Sequence, residues 1–217
     1  MATSTIENYV KAIFFAQQDN PGDPVPMGVI AKALNVVPGT ATTMVKSMAK
    51  DKLLTYKPRV GVTLTEAGTQ LAIRMVRRHR LIEVFLVEVL KLDWGEIHED
   101  AEELEHVVSD RFLEKIDELC NYPEFDPHGD PIPSADGTFK PVTHKNLMDC
   151  PTGRALTIQR VLDQEAAFLK FAMDNGLTPG APVEVLERNP VAEAITLKLG
   201  DRQLSLGAKV ADKILVA

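Results

Sequence analysis

Histidine and glutamate side chains recur at helical spacing between residues 74 and 109. His79 and Glu83 are four residues apart, so on a helix both project from one face, about one turn apart. A second run has offsets of four, three and one, which again share one helical face: His98, Glu102, Glu105 and His106. Imidazole nitrogen and carboxylate oxygen together suit a divalent first-row cation. The spacing therefore predicts a metal site between two helices joined at residues 92–95.

Two other interpretations apply to the second run. The sequence HEDAEELEH, residues 98–106, could form a solvated acidic helix face, and spacing alone leaves that alternative open. His98 and Glu99 also resemble the start of a zinc-protease helix. That motif needs a second histidine four residues after the first, where this chain has Glu102, so the protease interpretation is rejected.

Length and composition are those of a chain with an ordinary buried core. The 217 residues have room for one large domain or two small ones, and 45% of them are hydrophobic. The two cysteines form no metal or disulfide pattern, no signal-peptide layout starts the chain, and no apolar run approaches the roughly 20 residues of a membrane span. We therefore predict a soluble, cytoplasmic protein that does not bind a membrane.

The net charge of −7 is unevenly distributed along the chain. Residues 1–64 hold seven Lys and Arg against four Asp and Glu, residues 65–92 hold five against three, and residues 93–130 hold two against fourteen. The first part is basic enough to bind a polyanion, whereas the acidic block would attract cations.

The elements before the acidic block predict a DNA-binding module. A first helix would begin with a capping box of Ser4 and Glu7. Two short helices, 27–34 and 40–50, flank a tight turn, which is the pattern of a helix-turn-helix. Two β-rich runs, 53–56 and 60–64, then predict a hairpin, and a hairpin directly after a recognition helix is a wing.

The predicted DNA-binding surface combines the recognition helix with the tip of the wing. Lys57 and Arg59 at the tip are suited to phosphate contacts. The start of the recognition helix and the turn before it would supply the other contacts: Val37, Pro38, Gly39, Thr40, Thr42, Thr43 and Lys46. A helix-turn-helix used only for packing is the alternative, and the wing with its local basic excess favours DNA binding.

A long helix follows the wing, from a Thr65 cap to about Lys91. Apolar residues on nearly every side of its second half indicate burial against more than one partner, and a dimer interface is a natural use. A dimer would also supply two recognition helices for a two-fold DNA site.

The last third of the chain changes character. Residues 121–151 hold six prolines and are interpreted as a linker, in which Asp126 and His128 fit solvated loop residues better than metal ligands. Short β-rich runs after it predict a small barrel of SH3-like type.

The predicted fold is mainly α with an α+β winged helix. Its parts are a winged helix-turn-helix (1–64), a helical dimerisation and metal-binding domain (65–137), a Pro-containing linker (138–151) and an SH3-like domain (152–217).

This order of elements resembles one family of regulators. The most specific segments are RRHRLIEVFL (77–86), IHEDAEELEHVVSD (97–110) and HGDPIPSADG (128–137). They are similar to the diphtheria-toxin repressor / manganese transport regulator family of metal-activated repressors, and residues 152–217 agree in order and size with the family's FeoA-like barrel. The resemblance implies a homodimer that binds double-stranded operator DNA when Mn²⁺ or Fe²⁺ is bound, with one or two ions per chain.

The resemblance also implies the ligand sets. One site would use His79, Glu83 and His98, completed from the C-terminal domain by Gln164 and Glu165. The second would use Asn8 on the first helix together with Glu102, Glu105 and His106.

Three positions depart from the family pattern in ways that bear on the metal. Glu102 stands where iron-responsive members carry a soft sulfur ligand, and a carboxylate favours a harder ion, so Mn²⁺ is predicted over Fe²⁺. Asn8 stands where manganese members offer aspartate, and it can donate a carbonyl oxygen but no charge. Lys11 stands where some manganese members have glutamate, so a two-metal cluster of that kind is not expected.

We therefore predict a metal-activated transcriptional repressor of metal-uptake genes, which is not an enzyme and takes no small organic substrate. A metal-dependent hydrolase using the same His and Glu residues is the alternative, but we find no Ser/His/Asp or Cys/His arrangement and no phosphate-cradling glycine loop. A winged-helix protein that needs no metal is a third possibility, but it does not explain why two helix faces carry His and Glu at metal-ligand spacing.

Overall fold

The computed structural model describes residues 3–140 and 142–217, so Met1, Ala2 and the linker proline Pro141 lie outside the described residues. The chain divides into two compact units. The first comprises Met1–His79, Glu105–Val108 and Pro133–Thr138, and the second comprises Arg80–Leu104, Ser109–Ile132 and Phe139–Ala217. No described helix combines the length and the apolar character that crossing a membrane requires.

The first unit contains the predicted winged helix. Its elements are α1 (Ser4–Asp19), α2 (Met27–Ala33), α3 (Pro38–Lys50), β1 (Leu54–Lys57), β2 (Gly61–Leu64) and the first part of α4 (Glu66–Glu88). The strands pair antiparallel, with Leu54 opposite Leu64 and Lys57 opposite Gly61. The helix-turn-helix and the wing are confirmed.

Local sequence explains where these helices begin. Pro38 opens α3 at the position where its fixed φ and missing N–H cost nothing. The Thr65 hydroxyl accepts a hydrogen bond from the Gly68 N–H at 3.2 Å, as predicted for the cap of α4. The predicted Ser4 cap is wrong by one residue, because Thr3 has the extended backbone of a cap and its Oγ1 accepts from Ile6 N at 3.4 Å.

The second unit contains the rest of α4, four further helices and the C-terminal sheet. In chain order its elements are α5 (Ile97–Leu104), α6 (Asp110–Leu119), β3 (Lys145–Asn146), a 3₁₀ turn (Leu147–Asp149), β4 (Ala155–Val161), α7 (Ala166–Asp174), β5 (Pro182–Asn189), β6 (Ala194–Leu199), β7 (Arg202–Gly207), α8 (Ala208–Ala211) and β8 (Ile214–Val216). The six strands form one antiparallel sheet in the order β3-β8-β4-β5-β6-β7. Alternating apolar residues of the sheet, such as Ile158 and Leu197, are fully buried together with Trp94 from the segment before α5.

Candidate metal centre

Glu105 lies at the centre of a buried ionic cluster in the first unit. Its carboxylate is fully buried, with Oε2 2.6 Å from His79 Nδ1 of α4 and Oε1 2.7 Å from Lys11 Nζ of α1. Both partners have side chains only 10% exposed. We call Glu7, Asn8, Lys11, His79, Glu105 and His106 the Glu105 cluster.

Two ligand atoms of the Glu105 cluster lack a hydrogen bond. His106 Nδ1 is 2.7 Å from Glu7 Oε2, and its other nitrogen, Nε2, is 3.8 Å from Glu105 Oε1. Among the described residues, His106 Nε2 and Asn8 Oδ1 are buried polar atoms that have no hydrogen-bond partner. Leaving such atoms unsatisfied costs free energy, and a bound cation would satisfy both. The donor set of the cluster therefore fits a divalent metal.

Glu105 and His106 are not part of a helix, which corrects the prediction of a continuous helix from 98 to 106. Helix α5 ends at Leu104, and residues 105–108 form a turn. The cause lies in Arg78, whose Nε donates to Glu105 O at 2.7 Å and whose Nη2 donates to Val108 O. These carbonyls bind a guanidinium, which holds the turn and presents the Glu105 and His106 side chains.

Glu7 and Lys11 belong to the cluster, although Glu7 was predicted only to cap α1. They are four residues apart on α1, with Asn8 beside them. Helix α1 buries Lys11 together with the apolar Tyr9 and Val10. A lysine that a helix buries needs an anionic partner.

Glu83 is the centre of a second buried cluster, in the second unit. Its Oε1 is 3.4 Å from His98 Nδ1, and His98 Nε2 is 3.8 Å from Glu102 Oε1. Its Oε2 is 3.8 Å from His128 Nδ1, which is 4.0 Å from Asp126 Oδ1. Ligand atoms of Glu83, Asp126 and His128 all lie within 4.8 Å of one another. We call these five residues the Glu83 cluster.

Asp126 and His128 are buried, so their interpretation as solvated loop residues is wrong. Asp126 Oδ1 accepts the N–H groups of His128 and Asp130, both at 2.9 Å, which closes a tight turn. The Val161 N–H of β4 donates to His128 O at 2.8 Å. Gly129 has φ +89°, and a Cβ there would lie 1.9 Å from Gln159 O, so only glycine fits between the turn and the strand. The proline-rich segment is thus fixed at this point and supplies two side chains to the cluster.

Burial dominates the electrostatics of the Glu83 cluster. It raises the pKa of Asp126 to about 7, and the neighbouring carboxylates of Asp130 and Glu83 act in the same direction. Burial alone would lower the pKa of His128, but the carboxylate of Glu83, 3.8 Å from Nδ1, raises the pKa above the usual value. Asp126 Oδ2 and His128 Nδ1 are buried and have no hydrogen-bond partner within the described chain. A cation would relieve the repulsion between the acids and occupy both atoms, so this donor set also fits a metal.

His98 opens onto a cavity that the C-terminal domain helps to line. The cavity has a volume of about 790 Å³ and belongs entirely to the second unit. Its lining includes His98, Glu99, Gln164 and Glu165. Gln164 Nε2 donates to Asp130 Oδ2 at 3.3 Å. Both candidate ligands from the C-terminal domain therefore line the same cavity as a residue of the Glu83 cluster.

Each unit holds part of a predicted ligand set. Glu83 and His98 of one set are in contact in the second unit, and Glu105 and His106 of the other set are close in the first. His79 also contacts Glu105, and His98 also contacts Glu102.

The predicted DNA-binding residues form an exposed surface on the first unit. Helix α3 buries Ala41, Val45 and Met48, at spacings of four and three. The remaining positions are exposed or, for Thr42, half-buried: Val37, Pro38, Gly39, Thr40, Thr42, Thr43, Lys46, Lys57 and Arg59. Thr42 Oγ1 donates to Pro38 O at 2.8 Å and Thr43 Oγ1 to Gly39 O at 3.0 Å. No carboxylate occurs among these nine residues, so the surface suits a polyanion.

Three family profiles match successive parts of the chain. Residues 1–62 match the iron dependent repressor N-terminal DNA binding domain, residues 65–134 the iron dependent repressor metal binding and dimerisation domain, and residues 145–217 the FeoA domain. These matches define the class of protein: a metal-dependent, DNA-binding transcription regulator with a dimerisation domain.

Individual relatives agree with this class. The chain is 27% identical to the iron-dependent repressor IdeR of Mycobacterium leprae over 98% of its own length and 96% of the relative. It is 34% identical to the regulator MntR of Bacillus velezensis over 58% of its length and 87% of the relative. A solved manganese-dependent transcriptional repressor in complex with manganese is 35% identical, with a TM-score of 0.87 over 98% of this chain and 99% of the other. The chain belongs to the diphtheria-toxin repressor / MntR family of metal-dependent transcriptional repressors, and neither the hydrolase nor the metal-independent alternative is supported.

Proposed function

We propose that this chain is a Mn²⁺-activated, homodimeric repressor that binds operator DNA and controls metal-uptake genes in the cytoplasm. The observation that supports this most strongly is the pair of buried carboxylate–imidazole clusters. Each contains ligand atoms that find no hydrogen bond within the described residues. Buried acids at this density are stable only when a cation or a proton neutralises them.

The choice of Mn²⁺ over Fe²⁺ rests on the donor atoms. The ligand groups found among the described residues contain carboxylate and imidazole but no thiol, and both cysteines, Cys120 and Cys150, are buried outside them. Glu102 is a carboxylate that is only one-third exposed. Hard oxygen donors in the majority suit Mn²⁺, and Fe²⁺, whose preferences are close, is the alternative ion.

We assign one ion to each cluster. In the Glu105 cluster the proposed ligands are Asn8, Glu105 and His106, with Glu102 retained as a predicted ligand from its position three residues before Glu105. In the Glu83 cluster they are Glu83, His98, Asp126 and His128. His79 is retained for the second ion from its position one helical turn before Glu83, and Gln164 and Glu165 are retained as ligands from the C-terminal domain.

Within the first unit, the Glu105 cluster can act on the DNA-binding surface through α1. Asn8 and Glu7 are on α1, which packs against α2 of the helix-turn-helix and β2 of the wing. Asn8 and Glu105 would hold the ion, which would supply positive charge between the amide oxygen and the carboxylate. Together with the contact of Glu7 with His106, this would hold α1 to the turn 105–108 and reduce the mobility of the whole DNA-binding module. Reciprocity requires that DNA tighten metal binding by the same factor.

The homodimer is supported by apolar side chains that the isolated chain leaves exposed. In residues 89–122 of the second unit, six large ones are at least 39% exposed: Val89, Leu90, Leu92, Phe112, Leu119 and Tyr122. We take these side chains as the proposed dimer surface, because apolar patches that a monomer leaves exposed serve as interaction sites. A two-fold dimer would present two α3 helices to successive turns of a palindromic operator.

A gel-shift experiment tests the proposal directly. Purified protein is stripped with a chelator and titrated onto promoter DNA of a metal-uptake gene, without metal, with Mn²⁺ and with Fe²⁺ under anaerobic conditions. We expect Mn²⁺ to tighten binding at least tenfold and renewed chelation to reverse it. DNA binding that is equally tight in the stripped protein would refute metal activation, and a stronger response to Fe²⁺ would refute the choice of ion.

A further inference from the structure

Lys11 is a buried cation in a place where the proposed function needs a different one. Its side chain is 10% exposed, and its Nζ lies 2.7 Å from Oε1 of the fully buried Glu105. The two residues are 94 positions apart in sequence, so the contact is made by the fold and not by neighbouring turns of a helix. A charge-assisted hydrogen bond of this length between buried groups is a strong one.

The contact uses an oxygen atom that a metal would need. Glu105 Oε2 is already paired with His79 Nδ1 at 2.6 Å, which leaves Oε1 as the atom nearest to His106 Nε2, at 3.8 Å. That nitrogen and Asn8 Oδ1 have no hydrogen bond in the described structure, whereas Oε1 is bound to the ammonium. The cluster thus offers two open ligand atoms and a third that Lys11 covers.

We propose that Lys11 is the resident cation of the Glu105 cluster. In the metal-free protein its ammonium neutralises Glu105, and a divalent ion must displace it before Glu105 can become a ligand. This inference rests on the proposed function, because it concerns the same metal centre. It adds a residue that ligates nothing and yet sets the metal concentration at which the regulator responds.

Electrostatics gives the direction of the effect. An ammonium and a divalent ion cannot share one carboxylate oxygen without strong repulsion in a buried site. Removing the ammonium therefore removes a competitor, although it also leaves Glu105 with less charge compensation in the metal-free protein. Lys11→Met keeps the length of the aliphatic side chain and deletes only the charge. We expect it to bind Mn²⁺ at least about tenfold more tightly at the Glu105 cluster, the factor that corresponds to one charge-assisted hydrogen bond. We also expect a lower melting temperature in chelator.

The measurement has to separate the two clusters. Electron paramagnetic resonance counts all bound Mn²⁺. Trp94, the single tryptophan, stacks on His128 with ring centroids 5.3 Å apart, so its quenching reports the Glu83 cluster alone. Occupancy of the Glu105 cluster is the difference. Lys11→Met should lower the Mn²⁺ concentration that half-fills the Glu105 cluster. It should leave the Trp94 quenching curve unchanged.

Two matched variants serve as controls. Lys32→Met removes the same charge from an exposed position on α2, and it should leave Mn²⁺ affinity as in the wild type. Lys11→Arg keeps a cation and should bind Mn²⁺ no more tightly than the wild type. Equal or weaker Mn²⁺ binding by Lys11→Met, in a protein whose wild type binds Mn²⁺ and DNA normally, overturns this inference and leaves the proposed function standing. Wild-type protein that binds no Mn²⁺ overturns both.

A chemical footprint in the wild-type chain decides the matter if Lys11→Met fails to fold. Reductive methylation followed by peptide mass spectrometry measures how accessible each lysine is. Adding Mn²⁺ should increase the modification of Lys11 severalfold, because the displaced ammonium moves toward solvent, while the exposed Lys32 stays constant. Unchanged or reduced modification of Lys11 at saturating Mn²⁺ would contradict the displacement.

Discussion

The substitution Asp126→Asn tests whether the Glu83 cluster is built for a cation. The Asn side chain has the same shape, and its Oδ1 can still accept the N–H groups of His128 and Asp130 that close the turn. It cannot ionise. The variant should therefore keep the fold and lose the charge that burial opposes.

The size of the effect follows from the pKa of Asp126, which burial raises from 3.8 to about 7. A carboxyl whose pKa is higher in the folded than in the unfolded chain stabilises the fold fully below the unfolded pKa. That contribution is lost as pH rises through the folded pKa. Between pH 5.5 and 8 the metal-free wild type should lose about 2 kcal/mol of unfolding free energy from this group, and Asp126→Asn should lose none of it. For a chain of this size the difference is roughly 4–8 °C in Tm.

The assay is denaturant unfolding in chelator at both pH values, followed by the fluorescence of Trp94, which stacks on His128 of the same cluster. Asp201→Asn, at an exposed turn position, is the matched control and should show the wild-type pH dependence. Adding Mn²⁺ at pH 8 should stabilise the wild type more than Asp126→Asn. If Asp126→Asn loses as much stability as the wild type between pH 5.5 and 8, the carboxyl is not held at a raised pKa and the electrostatic reasoning fails.

Three further predictions concern the separate parts of the protein. Lys57→Ala and Arg59→Ala should each lose one phosphate contact and therefore reduce the slope of log K against log salt concentration by roughly 0.9, measured in gel shifts over a salt series. Lys170→Ala, at an exposed position, should leave this slope unchanged. Glu105→Gln should weaken Mn²⁺-dependent DNA binding at least about tenfold while Mn²⁺ still quenches Trp94, and loss of both responses would show that the two clusters are not independent. The Mn²⁺ concentration that half-quenches Trp94 should rise from pH 8 to pH 6, by up to about tenfold per unit below pH 7, because the raised pKa of Asp126 makes a proton compete with the ion, and a pH-independent midpoint would contradict this.

The winged helix could be predicted from the sequence because its determinants are local. The apolar spacing of α3, Pro38 at its first turn, and two β-rich runs around Lys57 and Arg59 all act within a few residues of one another. The pairing of His98 with Glu102 could be predicted for the same reason, since residues four apart on a helix face the same side.

The rest of the site depends on contacts between distant segments. Glu7 and His106 are 99 residues apart, and helical periodicity has no information on such a pair. Asp126 and His128 lie in a proline-rich segment whose composition predicts a linker. Their burial follows from the tight turn at Gly129 and the hydrogen bond from Val161 of β4, neither of which leaves a periodic trace in the sequence.

Both clusters contain buried carboxylates whose negative charge must be compensated, and the compensating groups differ. Each places carboxylates out of reach of water, which is costly unless the charge is balanced. In the Glu105 cluster a lysine ammonium supplies the balance, whereas in the Glu83 cluster the Arg80 guanidinium, 3.5 Å from Asp126 Oδ2, supplies part of it and Asp126 retains a proton up to about pH 7. An incoming ion must therefore displace an ammonium in one place and a proton in the other. Acid should weaken ion binding at the Glu83 cluster, because a proton on Asp126 competes with the ion. The two clusters therefore differ in the group that an incoming ion must displace.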